Sequence, residues 1–259
     1  MTLLVGAAWT GRPATALAGN PTTTCQNTFN NINVSNAVAV DLASFVSGYY
    51  SHLDSQATLL CGNPLPATAS GSFKWVAMST NVCGAGCLAI MQIGRGRCIF
   101  GSGCAAGPGQ RLIVAWGVDH RAPGCAGWMD RNPTPIDVGA APTDTGLHYY
   151  RVVTDGLNWH FDHWRKGQAV QAALTLSAGS QCFSQRLGYT FDETWDHGDA
   201  LGGSAVNHNN YLSMTRQETI GGPWLATNLT GQPCLLDPVL SYFHCSVTAS
   251  QAWESWTDH

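Results

Sequence analysis

The residues best placed to do chemistry lie in Tyr189-Thr190-Phe191-Asp192-Glu193-Thr194-Trp195-Asp196. Side chains of a strand alternate between its two faces. Tyr189, Phe191, Glu193 and Trp195 then share an aromatic face, and Thr190, Asp192, Thr194 and Asp196 share a polar one. The aromatic face is expected to be the buried one, with Glu193 its single acid. A carboxyl set among aromatic rings loses hydration, so its pKa should rise, which prepares it for general acid/base work. An inert, hydrogen-bonded carboxylate at a sheet rim would leave the same pattern. Gln92, in Leu88-Ala89-Ile90-Met91-Gln92-Ile93-Gly94, offers an amide on the face of Leu88 and Ile90. A buried amide can steady a developing oxyanion or simply complete strand-end hydrogen bonds.

Other constellations are thinner. Asp192, Asp196, His197, Asp199 and Asn207 concentrate acceptor oxygens that suit Ca²⁺, as Asp/Asn loops of lectins do, but lack EF-hand spacing. His148 and His163 should face each other across a hairpin with His160 on the opposite face. Two histidines without a third ligand make a poor zinc site, and Cys83-x3-Cys87 fits zinc only loosely. No metal site is therefore assigned. No G-x-S-x-G elbow occurs. Trp128, Trp224, Trp253 and Trp256 are rings that could stack on sugars if exposed, although most tryptophans are core or rim residues.

The elements that must position these groups are short and mostly extended. Strands are expected at Phe73–Met78, Leu88–Gly94, Arg111–Asp119, Ala169–Ser177, around Glu193 and within Val206–Arg216. The clearest hairpin runs from Leu147 to Trp164 and turns at Asp155-Gly156, a pair suited to a two-residue turn. That turn sets Val152 opposite Trp159 and Tyr150 opposite Phe161 on an apolar face. Arg151 and Tyr149 then oppose His160 and Asp162 on a polar one. Helical spacing of Val40, Phe45, Tyr49 and Leu53 predicts a short helix near 40–54. The tail from Gly221 shows no period. Short strands with turn signals between them indicate an all-β fold, an antiparallel double-sheet β-sandwich of jelly-roll kind with a short N-terminal helical segment.

Composition bounds the function. Of 259 residues only 11% are charged, and the net charge is −4, so no basic patch is present to bind nucleic acid. Thr2–Trp9 is apolar and Ala16-Leu17-Ala18 resembles a cleavage site, so residues 1–18 read as the remnant of a signal peptide. Residues 19–72 then form an N-terminal segment and linker, and 73–259 the sandwich. No apolar run is long enough to span a membrane. Ten cysteines fit disulfides and an extracellular location. Cys83–Cys87, Cys98–Cys104, Cys25–Cys61, Cys234–Cys245 and Cys125–Cys182 is one pairing among many that spacing allows.

The order Trp75-Val76, Met91-Gln92-Ile93-Gly94, Val114-Ala115-Trp116, Trp159-His160-Phe161 and Phe191-Asp192-Glu193 resembles the glutamic peptidases and the plant neprosins. The likeness covers roughly residues 73–199. It implies a concanavalin-like sandwich with Gln92 and Glu193 in the two functional positions, and with Trp75, Trp116 and Trp195 as aromatic candidates for holding substrate. Where fungal members read W-V-G-I-D-G this chain reads Trp75-Val76-Ala77-Met78, and it has Phe191-Asp192-Glu193 in place of the neprosin G-G-E. Either Asp192 or Glu193 could therefore fill the acid's place, and the facing argument favours Glu193. The implied chemistry is acid-acting hydrolysis of a polypeptide, with no cofactor. The carboxylate would activate a water and the amide would bind the oxyanion. The alternatives are a lectin-like carbohydrate-binding sandwich and a secreted structural protein without catalysis.

Overall fold

The computed structural model describes residues 38–39, 47–53, 70–81, 88–99, 110–118, 135–177 apart from 143 and 145, 187–194, 206, 208–230 and 243–257. Within them the chain is all-β, built from two antiparallel sheets. The first sheet has six strands in the order β1 (Val38–Ala39), β10 (Leu187–Thr194), β3 (Ser70–Asn81), β4 (Leu88–Ile99), β5 (Arg111–Val118) and β6 (Ile136–Ala140). The second runs β13 (Phe243–Ala249), β14 (Ala252–Thr257), β11 (Asn209–Gln217), β2 (Gly48–Leu53), β7 (His148–Thr154), β8 (Asn158–Arg165) and β9 (Gln171–Ser177). A short eighth strand, β12 (Trp224–Ala226), pairs with β11.

Period-two patterning fills the space between the sheets. Val76, Met78, Met91, Ile93, Leu112, Val114 and Trp116 point in from the six-stranded sheet. Tyr49, Leu53, Tyr150, Val152, Trp159, Phe161, Tyr211 and Trp253 meet them from the other. Tyr150, Val152, Trp159 and Phe161 are all fully buried, as the hairpin pattern requires. Close packing explains one glycine: a Cβ on Gly188 would lie 2.2 Å from the Tyr49 ring.

Three expectations change. The C-terminal half of the expected 40–54 helix is strand β2, which alternates Tyr49, Ser51 and Leu53 inward with Tyr50 and His52 outward. Its aromatic and apolar residues find better burial between β7 and β11 than on a helix face. The stretch placed before the sandwich thus supplies an interior strand of the larger sheet, and residues 40–46 lie outside the described residues. The β7–β8 hairpin keeps its expected faces but slips by two residues, with Val152 opposite Phe161 and Tyr150 opposite His163. Its two-residue turn is Gly156-Leu157, Gly156 having φ 97°. The Asp155 carboxylate closes the turn by accepting from the backbone N–H groups of Leu157 and Asn158, at 2.8 and 2.7 Å. Finally, the tail that showed no period contains β12, β13 and β14. Cys245 on β13 is disulfide-bonded, Cys98 lies on β4, and the other cysteines of the suggested pairing fall outside the described residues. No helix among the described residues is long and apolar enough to cross a membrane.

Candidate functional site

Glu193 and Gln92 share the outer face of the six-stranded sheet, the face turned away from the second sheet. Phe73, Trp75, Ala77, Ile90, Ile113, Ala115 and Phe191 form a second apolar cluster there. Glu193 is 8% exposed and Gln92 5%. The Trp75 indole N–H donates to Glu193 Oε2 at 2.7 Å, while Gln92 Oε1 is buried without a hydrogen-bond partner. Glycines make room for the rings: Gly94 opposes Trp75 and Gly96 opposes Phe73. A Cβ on Gly94 would come within 1.8 Å of the Lys74 carbonyl oxygen.

Register decides how the two groups relate. Glu193 is level with Phe73, whereas Gln92 is level with Ala77, four residues along β3 and on its other side. At about 3.4 Å per residue and about 4.8 Å per strand, their Cα atoms are roughly 17 Å apart. A shared water needs both groups within hydrogen-bond reach of it, which this spacing does not give. The residue of β10 level with Gln92 is Tyr189. Trp75 lies on the Gln92 face. Trp116 lies on the other, packed in the inter-sheet core with its ring centroid 6.4 Å from that of Phe161. Trp195 is outside the described residues.

Asp192 faces the opposite way from Glu193, as alternation requires, but its side of the strand is the inter-sheet interior and not solvent. It is completely buried. Its carboxylate accepts from the Tyr211 and Ser255 hydroxyls. On β3 it opposes Lys74, which in turn opposes Arg95 on β4, and both bases are buried. The Lys74 ammonium donates to Asn209 Oδ1, and Arg95 Nε donates to Gln110 Oε1 at 2.8 Å. This polar set joins the sheets. It also takes Asp192 out of the expected calcium loop, whose members Asp196, His197, Asp199 and Asn207 lie outside the described residues. His148 Nδ1 and His163 Nε2 are 3.1 Å apart and His148 Nε2 lies 3.0 Å from Asp144 Oδ1. His160, on the other face, pairs with Asp155. Among the described residues no three metal-ligating side chains converge.

Sequence reading missed the outer face of the eight-stranded sheet. Tyr50, Tyr149, Trp164 and Trp224, all half-buried, form one connected patch. Tyr50 meets Tyr149, Trp164 and Trp224 edge-on at 5.5, 5.9 and 4.8 Å between centroids. Tyr149 stacks on Trp164 at 4.8 Å. Arg151 lies over both indoles, 5.2 Å from Trp164 and 5.8 Å from Trp224. Its guanidinium is fixed by Asp162, which accepts from Nε at 2.8 Å and lies 2.6 Å from Nη2. Gly48 gives Trp224 its seat, since a Cβ there would lie 2.7 Å from the indole. The available signal was the outward set Tyr149, Arg151, Asp162 and Trp164, too aromatic for an ordinary solvated face. Of the four tryptophans named for sugar stacking, Trp224 lies on this face. Trp256 is half-buried between His208 and His244, Trp253 is core, and Trp128 is outside the described residues.

No family model matches the chain, and no curated protein matches it significantly.

Proposed function

We propose that the chain is a secreted, disulfide-bonded β-sandwich that binds carbohydrate on the outer face of its eight-stranded sheet. One observation carries this: four half-buried aromatic rings form a connected patch around a fixed Arg151–Asp162 pair on the outer face of the sheet. Aromatic rings give apolar contact to the C–H faces of a sugar, and a held guanidinium and carboxylate give directional hydrogen bonds to its hydroxyls. Affinity electrophoresis and calorimetry against soluble glucans, galactans, xylans and chitin oligosaccharides test it. Trp164→Ala and Trp224→Ala should each weaken binding by about tenfold or more while circular dichroism is unchanged, the loss expected for one aromatic contact of an interface. Failure of every glycan to bind, or variants that bind like the parent, would overturn it.

A hydrolase of the glutamic-peptidase kind is the rival. It is favoured by one feature: a nearly buried acid held by an indole N–H on a face that also bears a buried amide oxygen without a partner. In this register the chemistry would centre on Glu193 and Trp75, with Gln92 acting elsewhere along the substrate. Cleavage of unfolded protein between about pH 2 and 7, the range a shifted carboxyl covers, should then vanish in Glu193→Gln. An inactive parent protein removes the rival.

A further inference from the structure

Beneath the aromatic patch lies a polar group that ring packing does not require. His52 stands on β2 directly opposite Tyr149. It is 2% exposed, and neither ring nitrogen has a hydrogen-bond partner. Orphaned buried nitrogens are costly, and in native proteins they call for an explanation such as a ligand or an ordered water. The rings of His52 and Tyr149 are in contact, with centroids 3.4 Å apart and planes tilted by 41°. Tyr149 is itself half-buried and belongs to the patch. Among the described residues it is the patch ring in contact with His52.

The surroundings fix the protonation state. Burial, then the charges of Lys166 and His148, pull the His52 pKa down to about 4. The imidazole is therefore neutral in ordinary solution, with one N–H donor and one lone pair. That combination complements hydroxyl groups, which donate and accept. The neutral ring carries no positive charge to offset the desolvation of a carboxylate or sulfate drawn in beside it.

We propose that His52 is the hydrogen-bonding anchor of the carbohydrate site, that Tyr149 shifts to uncover it, and that the site takes neutral sugars in preference to uronic or sulfated ones. This rests on the carbohydrate-binding function proposed above. Calorimetry at pH 7 should compare neutral and acidic chains of matched stereochemistry, galactan with polygalacturonate and unsulfated with sulfated galactan. The neutral member of a pair should bind at least about tenfold more tightly, the worth of one well-made hydrogen bond. His52→Phe should lose about as much affinity while its melting temperature holds or rises, because an orphaned polar group has gone. His52→Gln, which keeps a donor and an acceptor, should retain part of the binding. Nitrogen chemical shifts of His52 should move when the neutral sugar is added. If His52→Phe binds like the parent while Trp164→Ala does not, the site stands and the anchor falls. If acidic chains bind equally well, the selectivity falls. If no sugar binds, both proposals fall together.

Discussion

Asp192 and Glu193 are neighbours in the chain and serve different sides of the molecule. Glu193 looks outward, where the Trp75 indole holds it. Asp192 looks inward, where the hydroxyls of Tyr211 and Ser255 hold it and Lys74 lies across the strand. Asp192→Asn keeps the shape but takes a charged acceptor from the Tyr211 and Ser255 hydroxyls. Hydrogen bonds to charged groups are worth about 1.5–3 kcal/mol, so urea unfolding should show a loss on that scale. A variant as stable as the parent would mean that the amide serves both hydroxyls as well as the carboxylate does. The alternation that separates these two acids was readable in the sequence. Which face would meet the other sheet was not. Three aromatic residues outvote two threonines on any hydrophobic scale, yet Phe191 joined a second apolar cluster on the outer face, and Thr190 and Asp192 were satisfied across the interior by Trp253, Tyr211 and Ser255.

At the scale of elements, the strands with clear alternation were legible from β3 to β5 and from β7 to β11. Those that failed did so for physical reasons. The two-residue slip of β7–β8 follows from the Asp155 carboxylate, which accepts two backbone N–H groups and so makes Gly156-Leu157 the turn. A slip of two preserves facing, so burial patterns could not reveal it. The same slip makes the contact of His148 and His163 diagonal rather than directly opposite. The β2 strand was mistaken because its outward residues, Tyr50 and His52, are themselves covered by rings, which blurs the polar half of the alternation. The centre of the six-stranded sheet rests on Gly94. Adding a methyl group there meets backbone, the Lys74 carbonyl at 1.8 Å, not a side chain that could swing away. Gly94→Ala should therefore force β3 and β4 apart, and thermal unfolding should show a drop of at least about 3 kcal/mol, the upper range for single substitutions. Little change would show that β3 and β4 can part at Gly94 without loss of pairing.

For the whole molecule, acid is a hazard. His52 and His163 both have folded pKa values of about 4, lowered chiefly by burial and then by neighbouring positive charge. The unfolded chain protonates its histidines near 6.5. Between those limits the unfolded state binds more protons, so stability is full above about pH 6.5 and is lost as pH falls toward 4. Asp144, held down first by His148, adds loss in the same direction at lower pH. Melting temperatures at pH 7, 5.5 and 4 should fall in that order, and His52→Phe should flatten part of the decline.

The place of β2 has a consequence for how the chain becomes a protein at all. It leaves the ribosome early but lies inside the larger sheet, hydrogen-bonded on one edge to β7 and on the other to β11. Its partners arrive roughly 100 and 160 residues later, and such distant pairings make folding slow. Until then its two edges and its Tyr and Leu side chains have no native partner, the kind of interval that favours aggregation. Pairing of both edges of β2 therefore waits for β11. A chain shortened to begin at residue 73 would never recover: the larger sheet would be split between β7 and β11, exposing two raw edges where the intact protein has none.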